Sequence, residues 1–91
     1  MNNFTDNTAA ARFELTEGGA IAYASYRREA DAVVIRYVEA APELRGTGAA
    51  SRLMTEVATH LRAQNLKARP ICSYAVAWFR RHPEYRELLE E

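Results

Sequence analysis

The residues best suited to a chemical task in this chain are Pro42-Glu43-Leu44-Arg45-Gly46-Thr47-Gly48-Ala49-Ala50. They follow an apolar, strand-like run and open directly into the apolar periodicity of a helix. Gly46 and Gly48 permit backbone angles closed to other residues and present no Cβ to a ligand. The first turn of a helix offers unpaired N–H groups and the positive end of its dipole. Strand, glycine turn and helix start, in that order, make a seat for a phosphate or pyrophosphate. The bland alternative is a plain strand-to-helix connection.

Spacing separates the known kinds of phosphate loop. A P-loop places Lys-Ser/Thr after its last glycine, where this chain has Ala49-Ala50. A dinucleotide fingerprint needs G-x-G-x-x-G, and Ala49-Ala50-Ser51 preserves only part of it. What remains is R-x-x-G-x-A, formed by Arg45, Gly48 and Ala50. This pattern resembles the coenzyme A pyrophosphate loop of the GNAT acetyltransferase superfamily. From about Ile35 to Leu89 the chain is similar to a group of very short, single-domain GNAT-like proteins. The matching pieces are Pro42 to Gly48, the helix that follows, Pro70-Ile71-Cys72, and Arg81-His82-Pro83-Glu84-Tyr85.

The resemblance implies acetyl-CoA as co-substrate and an amine of unidentified kind as acceptor. It places the pyrophosphate on Arg45, Gly46, Thr47, Gly48, Ala49 and Ala50. Backbone N–H groups near Val38, Glu39 and Ala40 would polarise the thioester carbonyl. Glu39 is also a reachable carboxylate for deprotonating the amine, although a strand-end glutamate can equally be solvated. Many short relatives carry a histidine at the position of Tyr37, so a base of that kind is absent. Larger members place an asparagine and, seven residues later, a proton-donating tyrosine at positions that fall on Cys72 and Phe79. Phe79 has no proton to give, which leaves Tyr74 as substitute or as a packing residue. Cys72 reads in two ways: a thiolate near the cofactor that accepts acetyl or tunes the pocket, or a small buried hydrophobe.

Composition narrows the classes. Twelve basic and twelve acidic side chains balance among 91 residues, so no broad nucleic-acid surface is expected. Arg27-Arg28 and Arg80-Arg81 are expected on solvated faces. One cysteine excludes an internal disulfide, and with His60 and His82 it makes no structural zinc set. No apolar run is long enough to span a bilayer, and Met1 to Asn7 lacks the regions of a signal peptide. A reducing cytoplasm is the expected location. The Asn3-Phe4-Thr5 sequon is then accidental.

The elements that must position these residues are legible in outline. Residues 1–9 read as a frayed terminus and 10–91 as one GNAT-like domain. Ala11 to Thr16, Ala20 to Arg28 and Ala32 to Glu39 read as three strands, with Gly18-Gly19 a hairpin turn. A helix spans about Gly48 to Gln64, its face set by Ala50, Leu53, Met54, Val57, Ala58 and Leu61, with Asn65 as its stop. Arg52, Glu56, Thr59, His60 and Arg62 fall on its solvated side. Leu66 to Cys72 fits a fourth strand, Pro70 placing it at an edge or strand end. Helices over Tyr74 to Arg81 and Glu84 to Glu90 complete an α+β domain, with His82 capping carbonyls or packing on Tyr85. The strand after the long helix is expected parallel to the one before it, the two splaying apart as in the GNAT fold. The helices that usually follow the first GNAT strand are missing. A monomer or weak homodimer is expected. Two other readings compete with an enzyme: a non-catalytic acyl-CoA sensor, and a small interaction domain on a vestigial fold.

Overall fold

In the computed structural model, which describes residues 3–90, the alternating first half folds as an antiparallel ribbon. Its strands are β1 (Phe4–Asn7), β2 (Arg12–Glu17), β3 (Ala20–Glu29) and β4 (Ala32–Ala40). The two-residue turn between β2 and β3 takes φ of 58° at Gly18 and 79° at Gly19, angles that match the twist of a tight hairpin. Helix α1 (Ala49–Ala63) then carries the chain to β5 (Lys67–Pro70), which pairs in parallel with β4. The sheet order is β1-β2-β3-β4-β5, with α2 (Ser73–Arg81) and a 3-10 turn (Pro83–Leu88) following. No helix interrupts the first four strands.

Three expectations need correction. Phe4–Asn7 is not frayed but forms the edge strand β1. The Phe4 ring stacks on Phe13 at 5.9 Å and meets His60 at 5.7 Å, and Tyr26 donates its hydroxyl proton to Asp6 at 2.6 Å. Burial and that bond push the Tyr26 phenol up to about 12. His60 is therefore not simply solvated: its ring lies under β1, and Nε2 sits 3.7 Å from Asp6. Finally, the last helix is a 3-10 turn over Pro83–Leu88, after which Leu89 bridges Ala68 at the outer edge of β5. Met1 and Asn2 lie outside the described residues.

The core explains why α1 sits where it does. Leu53, Met54, Val57, Ala58 and Leu61 recur on one stripe and are fully buried. Each large side chain among them stabilises the fold by about 1.5–3 kcal/mol relative to exposure. Ala49, rather than Ala50, continues this stripe into the first turn. Asn65 ends the helix in the left-handed region, at φ 57°. Opposite the stripe lie Phe13, Leu15, Ala22, Ala24, Val33 and Ile35, alternate residues of β2, β3 and β4. His82 caps the Trp78 carbonyl through Nδ1 at 2.8 Å, and its ring stacks on Trp78, not on Tyr85.

Candidate functional site

Two irregularities of β4 create the site. The β3–β4 register shifts between Ser25↔Tyr37 and Tyr26↔Ile35, which leaves Arg36 as the extra residue of a bulge. On the other side, pairing with β5 ends at Ile35↔Pro70, apart from one bond from the Ile71 N–H to the Ile35 carbonyl at 3.0 Å. Beyond Ile35 the outer edge of β4 has no strand partner among the described residues. On that edge the Val38 backbone groups and the Ala40 N–H face outward, while the Glu39 N–H and carbonyl face β3. The edge is open because β5 stops at Pro70 and the chain turns into a helix at Ser73.

Beside that open edge the chain turns through Pro42–Leu44 and enters α1. Gly46 and Gly48 take φ of 79° and 86°, the left-handed region that favours glycine. Thr47 folds the loop onto itself: its N–H and hydroxyl both donate to the Leu44 carbonyl, at 3.2 and 2.6 Å. The Thr47 Oγ1 in turn accepts the Ala49 N–H at 3.3 Å, and the Arg45 N–H is used by Pro42. Among the described residues, four donors of this loop and helix start remain without an internal partner: the N–H groups of Gly46, Gly48, Ala50 and Ser51. All four residues line a cavity of about 490 Å³, whereas Thr47 does not. The first turn of α1 carries no acidic residue, so the positive end of its dipole is unopposed there.

The rest of the cavity wall comes from three elements. Val38, Glu39 and Ala40 supply the end of β4, Arg45 the loop's cation, and Tyr74 the first turn of α2. Arg45 is steadied by donating Nε to the Ala40 carbonyl at 3.2 Å. Burial pushes the Tyr74 phenol above its ordinary value, so it keeps its proton at neutral pH. The structure therefore gathers Val38, Glu39, Ala40, Arg45, Gly46, Gly48, Ala49, Ala50 and Tyr74 around one cavity and leaves Thr47 and Cys72 off its wall. Phe79 is a core residue, only 4% exposed.

Cys72 has a definite structural task. It is the N-cap of α2, and its Sγ accepts the Ala75 N–H at 3.2 Å. Serine caps helices well and alanine poorly. Cys72→Ser is expected to keep wild-type stability, and Cys72→Ala to lose about 1 kcal/mol in a urea unfolding curve. Equal loss in both variants would refute the capping role.

Two contributors escaped the sequence reading. The Ser51 hydroxyl accepts the Trp78 indole N–H at 3.1 Å, which leaves its own proton free to donate. Arg52 joins Glu17 at 2.8 Å and also donates to the Thr47 carbonyl at 3.0 Å. A serine one residue past the motif is a readable signal. The Glu17–Arg52 pair spans 35 residues and has none.

Comparison with known proteins bears on the family and the fold. Residues 12–88 match the GCN5-related N-acetyl-transferase family. A GCN5-like protein from Staphylococcus aureus, solved by NMR, superposes with a TM-score of 0.73 at 25% sequence identity. That match covers 99% of this chain and 91% of the other. No curated protein matches the chain. Among the described residues, no helix is long and apolar enough to cross a membrane. The match over residues 12–88 makes this chain a member of the GCN5-related N-acetyltransferase family.

Proposed function

We propose that the protein binds acetyl-CoA and transfers its acetyl group to an amine. One observation carries the reading: four residues whose N–H groups have no internal partner among the described residues line, at a helix start, a single cavity that also reaches Val38 and Ala40 on the unpaired edge of β4. An anion suits the donors and the dipole. An amide-bearing arm suits the exposed strand edge, as an added strand would. Acetyl-CoA offers both, together with a thioester that an amine can attack.

In this reading Gly46, Gly48, Ala50 and Ser51 hold the pyrophosphate, with Arg45 adding positive charge. Backbone N–H near Val38 to Ala40 steadies the carbonyl oxygen as it gains charge. Glu39 takes the proton of the incoming amine, and Tyr74 gives its proton to the departing sulfur. Glu39 also lines a second, shallower cavity of about 420 Å³ that includes Tyr23 and Glu43. The amine enters from that side and meets Glu39 where the two cavities touch.

Calorimetric titration with acetyl-CoA tests the binding half. A one-site isotherm is expected, with a Kd in the roughly 1 μM–1 mM range common for enzyme substrates. A folded protein that takes up no acetyl-CoA would sink the reading and leave only the interaction-domain alternative. The catalytic half is tested by CoA release with a panel of primary amines. Binding without release for any amine would mark the acyl-CoA sensor instead.

A further inference from the structure

The Glu17–Arg52 pair lies outside the steps above, yet it touches the loop that they depend on. Arg52 stands on the first turns of α1, and Glu17 ends β2 just before the Gly18-Gly19 turn. Arg52 Nε and Nη2 donate to the two carboxylate oxygens of Glu17, each at 2.8 Å. A planar fork gripped at two points has a fixed orientation. Its remaining nitrogen, Nη1, donates to the Thr47 carbonyl at 3.0 Å.

That last bond has a geometric consequence. The Thr47–Gly48 peptide is trans, so its C=O and N–H point in opposite directions. A carbonyl anchored on Arg52 therefore turns the Gly48 N–H away from Arg52. The cavity wall agrees, since Gly48 lines it and Thr47 does not. A side chain at Gly48 would also press the guanidinium back by a few tenths of an ångström. A Cβ there would stand 3.1 Å from Nη1.

We infer that Glu17 and Arg52 are positioning residues of the anion loop: Glu17 holds the guanidinium, and the guanidinium aims the Gly48 N–H into the cavity. This rests on the phosphate-binding reading of that loop. It makes the β2–β3 hairpin part of the loop's support. It also makes Arg52 a brace rather than a phosphate ligand, its charge already answered by Glu17.

The test uses the full chain with Glu17→Gln, Arg52→Met and Arg52→Lys. Acetyl-CoA affinity is read by calorimetry, and the Gly48 amide resonance by NMR of the unliganded protein. Arg52→Met is expected to weaken binding about tenfold and to move the Gly48 resonance. Arg52→Lys should recover part of the loss, because an ammonium can still reach the carbonyl without the fork. Glu17→Gln should weaken binding about threefold, in the same direction. If Arg52 were a phosphate ligand, Glu17→Gln would free it and tighten binding. Tighter binding in Glu17→Gln, or wild-type affinity in Arg52→Met, overturns the proposal. Should Arg52→Met not fold, Glu17→Gln and Arg52→Lys carry the decision alone. If the unsubstituted protein binds no acetyl-CoA, the phosphate reading fails. The brace is then judged separately by the Gly48 resonance, and one unmoved by Arg52→Met overturns it.

Discussion

Gly48→Val is expected to weaken acetyl-CoA binding by at least about a hundredfold while the protein stays folded. The argument has two independent parts. At φ 86° the backbone of Gly48 is in a region that costs an L-residue roughly 1–2 kcal/mol, and a β-branched residue more. The new Cβ would also stand 3.1 Å from Arg52 Nη1, whose hydrogen bond to Thr47 keeps it from yielding freely. The loop must then turn its peptides, and the N–H groups of Gly48 and its neighbours leave the cavity. Each bond from such a donor to a charged group contributes roughly 1.5–3 kcal/mol, so losing two exceeds a factor of about one hundred. Gly48 is exposed and precedes the buried stripe of α1, so the cost to stability stays near the strain itself. Calorimetric titration beside a circular dichroism melt separates the two effects. Wild-type affinity in a folded variant would remove the loop from the binding site. Gly46→Ala is a milder control, because a Cβ there meets nothing within 4 Å and adds strain alone.

The same loop shows where sequence reading reaches and where it stops. Strand β2 announces itself through a period-2 apolar pattern, β4 through its β-branched run Val33-Val34-Ile35, and helix α1 through a period-3.6 stripe, all of which local chemistry sets. Gly46 and Gly48 mark the loop because positive φ nearly demands glycine. Which N–H groups stay free is another matter. That depends on Arg45 bonding back to Pro42, Thr47 bonding twice to Leu44 and Ala49 bonding to the Thr47 hydroxyl, so these three residues spend donors that the motif alone assigns to the ligand. Strand β1 is hidden for a similar reason. Phe4 is its one apolar residue, and what holds it is distant: Phe13, Tyr26 and His60. Cys72 matched the family pattern at the right place, and its capping bond follows only from where α2 begins. Tertiary partners, rather than local propensity, decide each of these points.

Trp78→Ala is expected to destabilise the fold by about 3–5 kcal/mol. Trp78 is fully buried, stacked on His82 at 4.1 Å and on Tyr85 at 5.6 Å, with Phe79 edge-on at 5.2 Å. Removing it opens a void among three aromatic neighbours and strips the C-terminal turn of its anchor. A domain of this size has roughly 5–13 kcal/mol of stability in all, so the variant sits near the edge of folding. Urea unfolding followed by circular dichroism reads the loss directly, and a change below about 1 kcal/mol would contradict the packing described. Trp78→Phe isolates the polar part. It keeps most of the ring and removes the N–H that fixes the Ser51 hydroxyl. Losing that bond is expected to cost about 1 kcal/mol of stability beyond the lost ring volume, and Ser51 is a residue of the cavity wall. Trp78→Phe should also lower acetyl-CoA affinity about threefold. The indole thus spans the boundary between core and cavity: its carbons stabilise the helix pair, and its nitrogen fixes the hydroxyl of Ser51, a residue of the cavity wall. A shortened fold with few elements to spare has to place such double tasks on single side chains.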